Sequence, residues 1–208
     1  MTTVVVMAKE PRPGRVKTRL CPPCTPRQAA TIAAAALADT LAAVDASGCH
    51  ARVLAFAGRS ESWRRAGWSV VPQVAGGLGQ RIGAAVASFA GPVLVVGMDT
   101  PQLTPTVLDD ACARLTAPDV DAVLGPADDG GYWAIGFRDR RAGAFDDVEM
   151  STSDTGRQQR ARLDALGLRV TELPRLRDVD TIEDARSVAA LAPASHFAHA
   201  LQTSVGAR

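Results

Sequence analysis

The stretch Pro92-Val93-Leu94-Val95-Val96-Gly97-Met98-Asp99 decides the fold. From residue 92 to residue 97 it is nearly all apolar, the pattern of a strand buried on both faces in the middle of a parallel sheet. A strand with one wet face would alternate instead. Asp99 follows at the carboxyl end, where packing has no use for a carboxylate and where open α/β sheets bind their ligands. A central parallel strand requires neighbours joined by long crossovers, so the flanking sequence should alternate between strands and helices.

It does so on both sides. Residues 3–7 form a β-branched apolar run, a buried strand that opens into a loop. A helix follows, with Thr25 as N-cap, Pro26 at the first helical position and Gln28 closing a capping box; Ile32, Ala36, Leu37, Leu41 and Val44 share one face. Residues 52–57 and 68–71 read as strands with a short polar helix near 61–66, and the turn Gly76-Gly77-Leu78-Gly79 opens a helix to about Phe89. Beyond Asp99, Thr104 and Pro105 start a helix whose Val107, Leu108, Ala111, Cys112 and Leu115 face one way. Residues 121–125 and 132–137 are strands too close in sequence for a parallel crossover, so at least one strand runs antiparallel. A helix near 154–166, a strand at 168–173 and a helix capped by Thr181 with Asp184 complete the series. The expectation is an α/β fold of three layers around a mostly parallel sheet, one domain over residues 1–192, and a loosely ordered tail at 193–208.

Size and charge narrow the function. At 208 residues the chain suits one domain with a core of its own. A net charge of +1 exerts no long-range pull on nucleic acid or anionic lipid, so neither is expected as a partner. The apolar run Val4 to Ala8 is too short for a signal or a membrane span, which points to the cytoplasm. Cysteines 21, 24, 49 and 112 form no disulfide framework, and Cys21-Pro-Pro-Cys24 lacks the second half of a zinc site. A redox pair is the alternative to a stiff, Pro-rich loop end.

Charge is concentrated locally. Between Lys9 and Arg19 five cations and one acid occupy the turn leaving the first strand. Gly14 lets backbone amides approach an anion, and in an extended segment Lys17 and Arg19 point to the same side and converge on one oxyanion. The competing reading is a solvated basic loop or a nucleic-acid patch, the latter without the interleaved aromatics such patches carry. Neither a Walker loop nor GxGxxG occurs here. Mg²⁺, or Mn²⁺ in its place, needs only one or two carboxylates besides phosphates and water. Asp99 supplies one, and Asp178 and Asp180 alternate across Val179 so that both aim one way; a helix N-terminus just after Asp180 is the other explanation for that acid. In Asp128-Asp129-Gly130-Gly131 at most one acid faces the site, unless the string is merely a tight turn. Gly77, Gly79 and Gly83 imitate a dinucleotide fingerprint but miss its spacing by one residue. A base or ribose laid against them fits better, with Gln73 and Arg81 either as its hydrogen-bonding partners or as surface side chains.

Four ordered motifs then resemble one family: Lys9-x-Pro-x-Pro-Gly14-x-Val-Lys17-Thr-Arg19-Leu, Gly97-Met-Asp99-Thr-Pro, Gly125-Pro-Ala-Asp-Asp-Gly-Gly-Tyr-Trp133 and Asp178-Val-Asp180-Thr. They are similar to those of the bacterial GT-A-fold nucleotide-diphospho-sugar transferases of the arsenosugar-biosynthesis type, themselves similar to molybdopterin and 2-phospholactate guanylyltransferases. The resemblance implies a GT-A fold and a transferase. It implies that Lys17 and Arg19 grip nucleotide phosphates and that Asp99, with Asp178 and Asp180, holds the metal. The nucleotide would rest on Ala8, Lys9, Gly14, Arg15, Gln73, Gly79 and Arg81, and a small-molecule acceptor on Asp129, Gly130, Gly131 and Tyr132. The Gly-x-Gly-Thr-x-Arg loop of sugar-nucleotide pyrophosphorylases is replaced here by Pro11-Arg-Pro-Gly-Arg15. Nucleotidyl transfer to a phosphorylated acceptor is the first expectation, with Lys17, Arg19 and Asp99 catalytic. Glycosyl transfer, with Asp128 or Asp129 as base beside Tyr132 and Trp133, is the second, and a nucleotide-sensing regulator without turnover is the third.

Overall fold

The β-branched run at the start of the chain becomes β1 (Thr3–Lys9), whose side chains are buried up to Ala8. It is the third strand of a seven-stranded sheet in the computed structural model, which describes residues 1–206. In chain order the elements are β1, α1 (Pro26–Ala46), β2 (Ala51–Ala57), β3 (Trp68–Pro72), α2 (Leu78–Ala87), β4 (Val93–Gly97), α3 (Pro105–Thr116), β5 (Ala122–Pro126), β6 (Tyr132–Phe137), α4 (Thr155–Ala165), β7 (Val170–Glu172), α5 (Ile182–Leu191) and α6 (His196–Val205). The strands lie in the order β3-β2-β1-β4-β6-β5-β7. β6 is antiparallel to both β4 and β5, and every other pairing is parallel. The short link between β5 and β6 forces that reversal, as the sequence predicts.

Alternation along β1 divides the core. Val4, Val6 and Ala8 pack with Leu37, Leu41 and Val44 of α1 and with Leu108 and Leu115 of α3. Val5 and Met7 face Ile82 and Val86 of α2 and Leu163 of α4. This is the three-layer α/β architecture expected. The predicted caps are present: Thr25 and Gln28 form a reciprocal box with Pro26 at the helix start, Thr104 accepts from Val107 N, and Thr181 and Asp184 form a second box.

Two local expectations are corrected. The polar helix near 61–66 is only a 3-10 turn at Glu61–Trp63, whose Trp63 ring centroid lies 6.4 Å from that of Phe56. The loose tail at 193–208 instead contains α6, with Phe197 fully buried and Leu201 and Ala200 nearly so against Ile32 and Ala36 of α1 and Val188 of α5. Asp39 on α1 anchors it, accepting from the backbone N–H of His196 (3.1 Å) and Phe197 (2.8 Å) and meeting His196 Nδ1 at 2.7 Å. The 193–206 segment is thus part of the fold; residues 207–208 lie outside the described residues. Helix α1 is long and apolar enough, by length and composition alone, to pass for a membrane span. Its apolarity has a local use, because α1 is covered by the sheet on one side and by α5 and α6 on another.

Candidate functional site

The carboxyl ends of β1, β4 and β5 and the start of the reversed β6 share one rim of the sheet. From β1 the chain proceeds to β2 on one side, whereas β4 lies on the other. Such a switch point leaves a crevice, and here it opens into a cavity of about 690 Å³.

The basic loop forms one wall. Val16, 2% exposed, is held by Ala30 and Ala33 of α1, and Leu20 is fully buried in the α1, α5 and α6 cluster. Between these anchors residues 16–19 are not extended, contrary to expectation. Lys17 adopts a left-handed backbone (φ 46°), and Thr18–Leu20 is a 3-10 turn. That conformation costs a non-glycine residue about 1–2 kcal/mol, and the two buried anchors sustain it. The result still points both cations at the acids. Lys17 Nζ meets Asp99 Oδ1 at 2.6 Å and Asp180 Oδ1 at 3.7 Å and donates to the Val179 carbonyl, with its side chain only 7% exposed. Arg19 pairs with Asp180 Oδ2 at 2.8 Å. Lys9 and Arg15 also line the cavity.

The acids come from three elements. Asp99 follows β4, and its carbonyl accepts the Val179 N–H at 2.9 Å, joining that turn to the segment after β7. Asp178 and Asp180 project from this segment, and Asp129 projects from the β5–β6 turn. Asp129, Asp178 and Asp180 each offer an oxygen within 4.8 Å of the others. The expected set of Asp99, Asp178 and Asp180 is therefore regrouped: Asp129 joins the pair, and Asp99 is held by Lys17 beside them. Burial, then the charges of Asp129 and Asp180, push the Asp178 carboxyl up to about 6, although Lys17 opposes this. Three converging carboxylates with this surplus of negative charge suit a hard divalent cation.

The β5–β6 turn is held by glycines. Gly130 has φ +89°, and its carbonyl accepts the Gly156 N–H at 2.8 Å. A Cβ on Gly156 would come within 2.7 Å of the Gly131 carbonyl, so the start of α4 docks on the turn only without a side chain there. Asp128 is turned away onto Arg177 at 2.9 Å, leaving one acid of the pair toward the site, as anticipated. Gly131 and Tyr132 line the cavity with Asp129. The Tyr132 hydroxyl lies 3.3 Å from Gln159 Oε1, and burial raises its pKa. Trp133 offers no open face: it is 3% exposed and donates to the Pro174 carbonyl at 3.0 Å.

The glycine turn at 76–83 is placed differently from expectation. Gln73 donates to the carbonyls of Ala8 and Ala55, both at 2.8 Å, and accepts from Arg81 at 3.1 Å. These side chains tie strand ends together, and Ala8 is buried. A Cβ on Gly79 would meet Met150 Cε at 2.9 Å, so this glycine serves helix-to-loop packing. Ala8, Gly14, Gln73, Gly79 and Arg81 are not among the cavity-lining residues, whereas Met150, Ser151, Thr152, Ser153 and Thr155 are. The hydroxyl-rich string before α4 was the available signal for this last group. Cys24 is buried in the α1, α5 and α6 cluster, where burial raises its thiol pKa, and Cys21 packs beside it.

Residues 30–152 match the family model described as "Uncharacterized protein conserved in bacteria (DUF2064)". The chain belongs to this family. The DUF2064 match includes Asp99 and Asp129 and stops outside the basic loop and the 178–180 segment. No curated protein matches the chain significantly. Among solved structures, a Desulfovibrio desulfuricans G20 protein provisionally described as a nucleotide-diphospho-sugar transferase superposes with TM-score 0.88 at 24% identity, covering 97% of this chain and 94% of that one. CMP:2-keto-3-deoxy-manno-octonic acid synthetase complexed with CTP superposes at 0.60, with 12% identity and coverages of 92% and 98%. Rv0371c of Mycobacterium tuberculosis H37Rv in complex with manganese superposes at 0.52, with 21% identity and coverages of 90% and 97%. At these identities the likeness establishes the shared nucleotidyltransferase-like α/β fold.

Proposed function

We propose that this DUF2064 protein is a divalent-metal-dependent transferase that moves a nucleotidyl group from a nucleoside triphosphate to a phosphorylated small molecule. One observation carries the reading: Arg15, Lys17 and Arg19 and the triad Asp129, Asp178 and Asp180 line the same cavity at the switch point of the sheet. The structural neighbours solved with CTP and with manganese support it, as does the resemblance of the motifs to the guanylyltransferases.

A bound divalent ion, Mg²⁺ or Mn²⁺, would neutralise polyphosphate charge. Asp129, Asp178 and Asp180 would hold it, and Asp99 would orient the Lys17 ammonium. An acceptor phosphate oxygen attacks the α-phosphorus, the bond from that phosphorus to the bridging oxygen breaks, and pyrophosphate leaves toward Lys17, Arg15 and Arg19. These cations stabilise the charge that develops on it. Phosphoryl chemistry of this kind relies on positioning and charge and needs no protein nucleophile. Gly131, Tyr132 and the hydroxyl-bearing 151–155 segment bound the acceptor side.

Glycosyl transfer is the second reading, favoured by the Desulfovibrio desulfuricans neighbour's description. The same cations would then hold a nucleoside diphosphate as leaving group. Incubation with labelled triphosphates and, separately, with sugar nucleotides discriminates the two. Pyrophosphate release supports the first, nucleoside diphosphate release replaces it with the second, and ligand binding without either product indicates a sensor.

A further inference from the structure

Asp129 and Asp178 reach the same point from two separate turns, so something must hold those turns in register. The 174–180 segment is held beside the β5–β6 turn by an isolated bridge between Ala127 and Leu176, by the Leu176 N–H donating to the Pro126 carbonyl and the Asp128 N–H to the Leu176 carbonyl, both at 3.1 Å, and by Arg175 Nη1 donating to the Ala127 carbonyl at 2.7 Å. Among the described residues the ion pair that spans them is Arg177 Nε to Asp128 Oδ2 at 2.9 Å. Its two members are the chain neighbours of Asp178 and Asp129. Arg177 is itself fixed from α5, with Asp184 at 3.9 Å and Ser187 Oγ at 3.4 Å, and its carbonyl accepts from Gln102 Nε2 at 2.5 Å. Carboxylates within 4.8 Å repel one another; the other bonds between the turns fix the backbone around residues 126–128 and 174–176, and the Arg177–Asp128 pair lies nearest the acids themselves.

We infer that Arg177 is a positioning residue for the divalent-ion site: its pairing with Asp128 sets the separation of Asp129 and Asp178 before the ion arrives. The inference rests on the metal-binding role proposed above. It has a sign that distinguishes it from electrostatics alone. Removing a nearby cation strengthens the attraction of an acidic cluster for Mn²⁺; removing a positioning clamp weakens binding.

Mn²⁺ binding to the full chain, followed by electron paramagnetic resonance of the free ion, provides the test. Arg177→Gln is expected to weaken Mn²⁺ binding about tenfold, as for other residues that orient metal ligands from outside. Asp128→Asn should match it, the double variant should be no weaker than either single one, and Arg177→Lys should recover part of the loss. The pair is 40% and 37% exposed, and exposed pairs contribute little to stability, so the variants should melt within a few degrees of the parent, roughly. Arg177→Gln binding Mn²⁺ as tightly as the parent, or more tightly, overturns the clamp while leaving the metal site intact. A parent chain that takes up no Mn²⁺ overturns the metal site and the clamp together.

Discussion

Lys17→Met removes the one cation among the described residues that touches both Asp99 and Asp180. At 2.6 Å the gross attraction to Asp99 lies between about 2 kcal/mol in water and about 6 kcal/mol at an effective dielectric of 20. Most of this is offset, because the ammonium is almost fully desolvated while the two acids stay partly exposed. A net loss of about 1–2 kcal/mol remains, which corresponds to a melting shift of roughly 2–8 °C in a chain of this size. Turnover should suffer more, falling about 10²–10³-fold, because the lost donor is aimed at charge that develops on the leaving pyrophosphate. Mn²⁺ should bind the variant more tightly than the parent, since the acids lose their competitor. Calorimetric melting, Mn²⁺ titration and a pyrophosphate-release assay read the three effects. Turnover within threefold of the parent, roughly, would refute the role given to Lys17, and a higher melting temperature would show that desolvation outweighs its ion pairs.

Three further outcomes are expected. Asp39→Ala strips three hydrogen bonds from the start of α6 and should cost about 2–3 kcal/mol, read by urea unfolding and by faster amide exchange confined to α6. Gly125→Ala places a Cβ 2.5 Å from the Trp133 ring and should cost about 1–3 kcal/mol as overpacking, with a change in tryptophan emission that Gly91→Ala, which meets no neighbouring atom, does not cause. The raised Asp178 pKa, about 6, gives stability that is present below the ordinary carboxylate value and lost as pH rises through 6. The full shift is worth about 3 kcal/mol, reduced by partial exposure to the order of 1–2; metal-free protein should therefore melt lower at pH 7 than at pH 5, Asp178→Asn should flatten the trend, and Mn²⁺ should remove it.

Much of the fold was legible because its signals are local. The apolar run ending at Asp99, the caps at Thr25, Thr104 and Thr181, and the short link that reverses β6 all act within a few residues. Helix α6 was missed because its stability comes from Asp39 and the α1 surface, more than 150 residues earlier, roughly, a distance that periodicity cannot see. The cationic loop and the acids were found by residue type and by their place at strand ends. Their grouping was not, since whether Asp99 or Asp129 joins Asp178 and Asp180 depends on side-chain direction in turns. Gln73 and Arg81 look free to meet a ligand in the sequence, where nothing shows that the Ala8 and Ala55 carbonyls occupy the Gln73 amide. The 150–155 segment escaped notice because hydroxyl residues before a helix read first as caps.

The central claim is that the cationic turn and the three acids serve one divalent ion and its polyphosphate. Its most direct test is an anomalous difference map from a crystal grown with MnCl₂ and a non-hydrolysable nucleoside triphosphate. A manganese peak among Asp129, Asp178 and Asp180, with phosphate density within reach of Lys17, is the predicted result; a nucleotide bound elsewhere, or no peak at those carboxylates at saturating manganese, would contradict it.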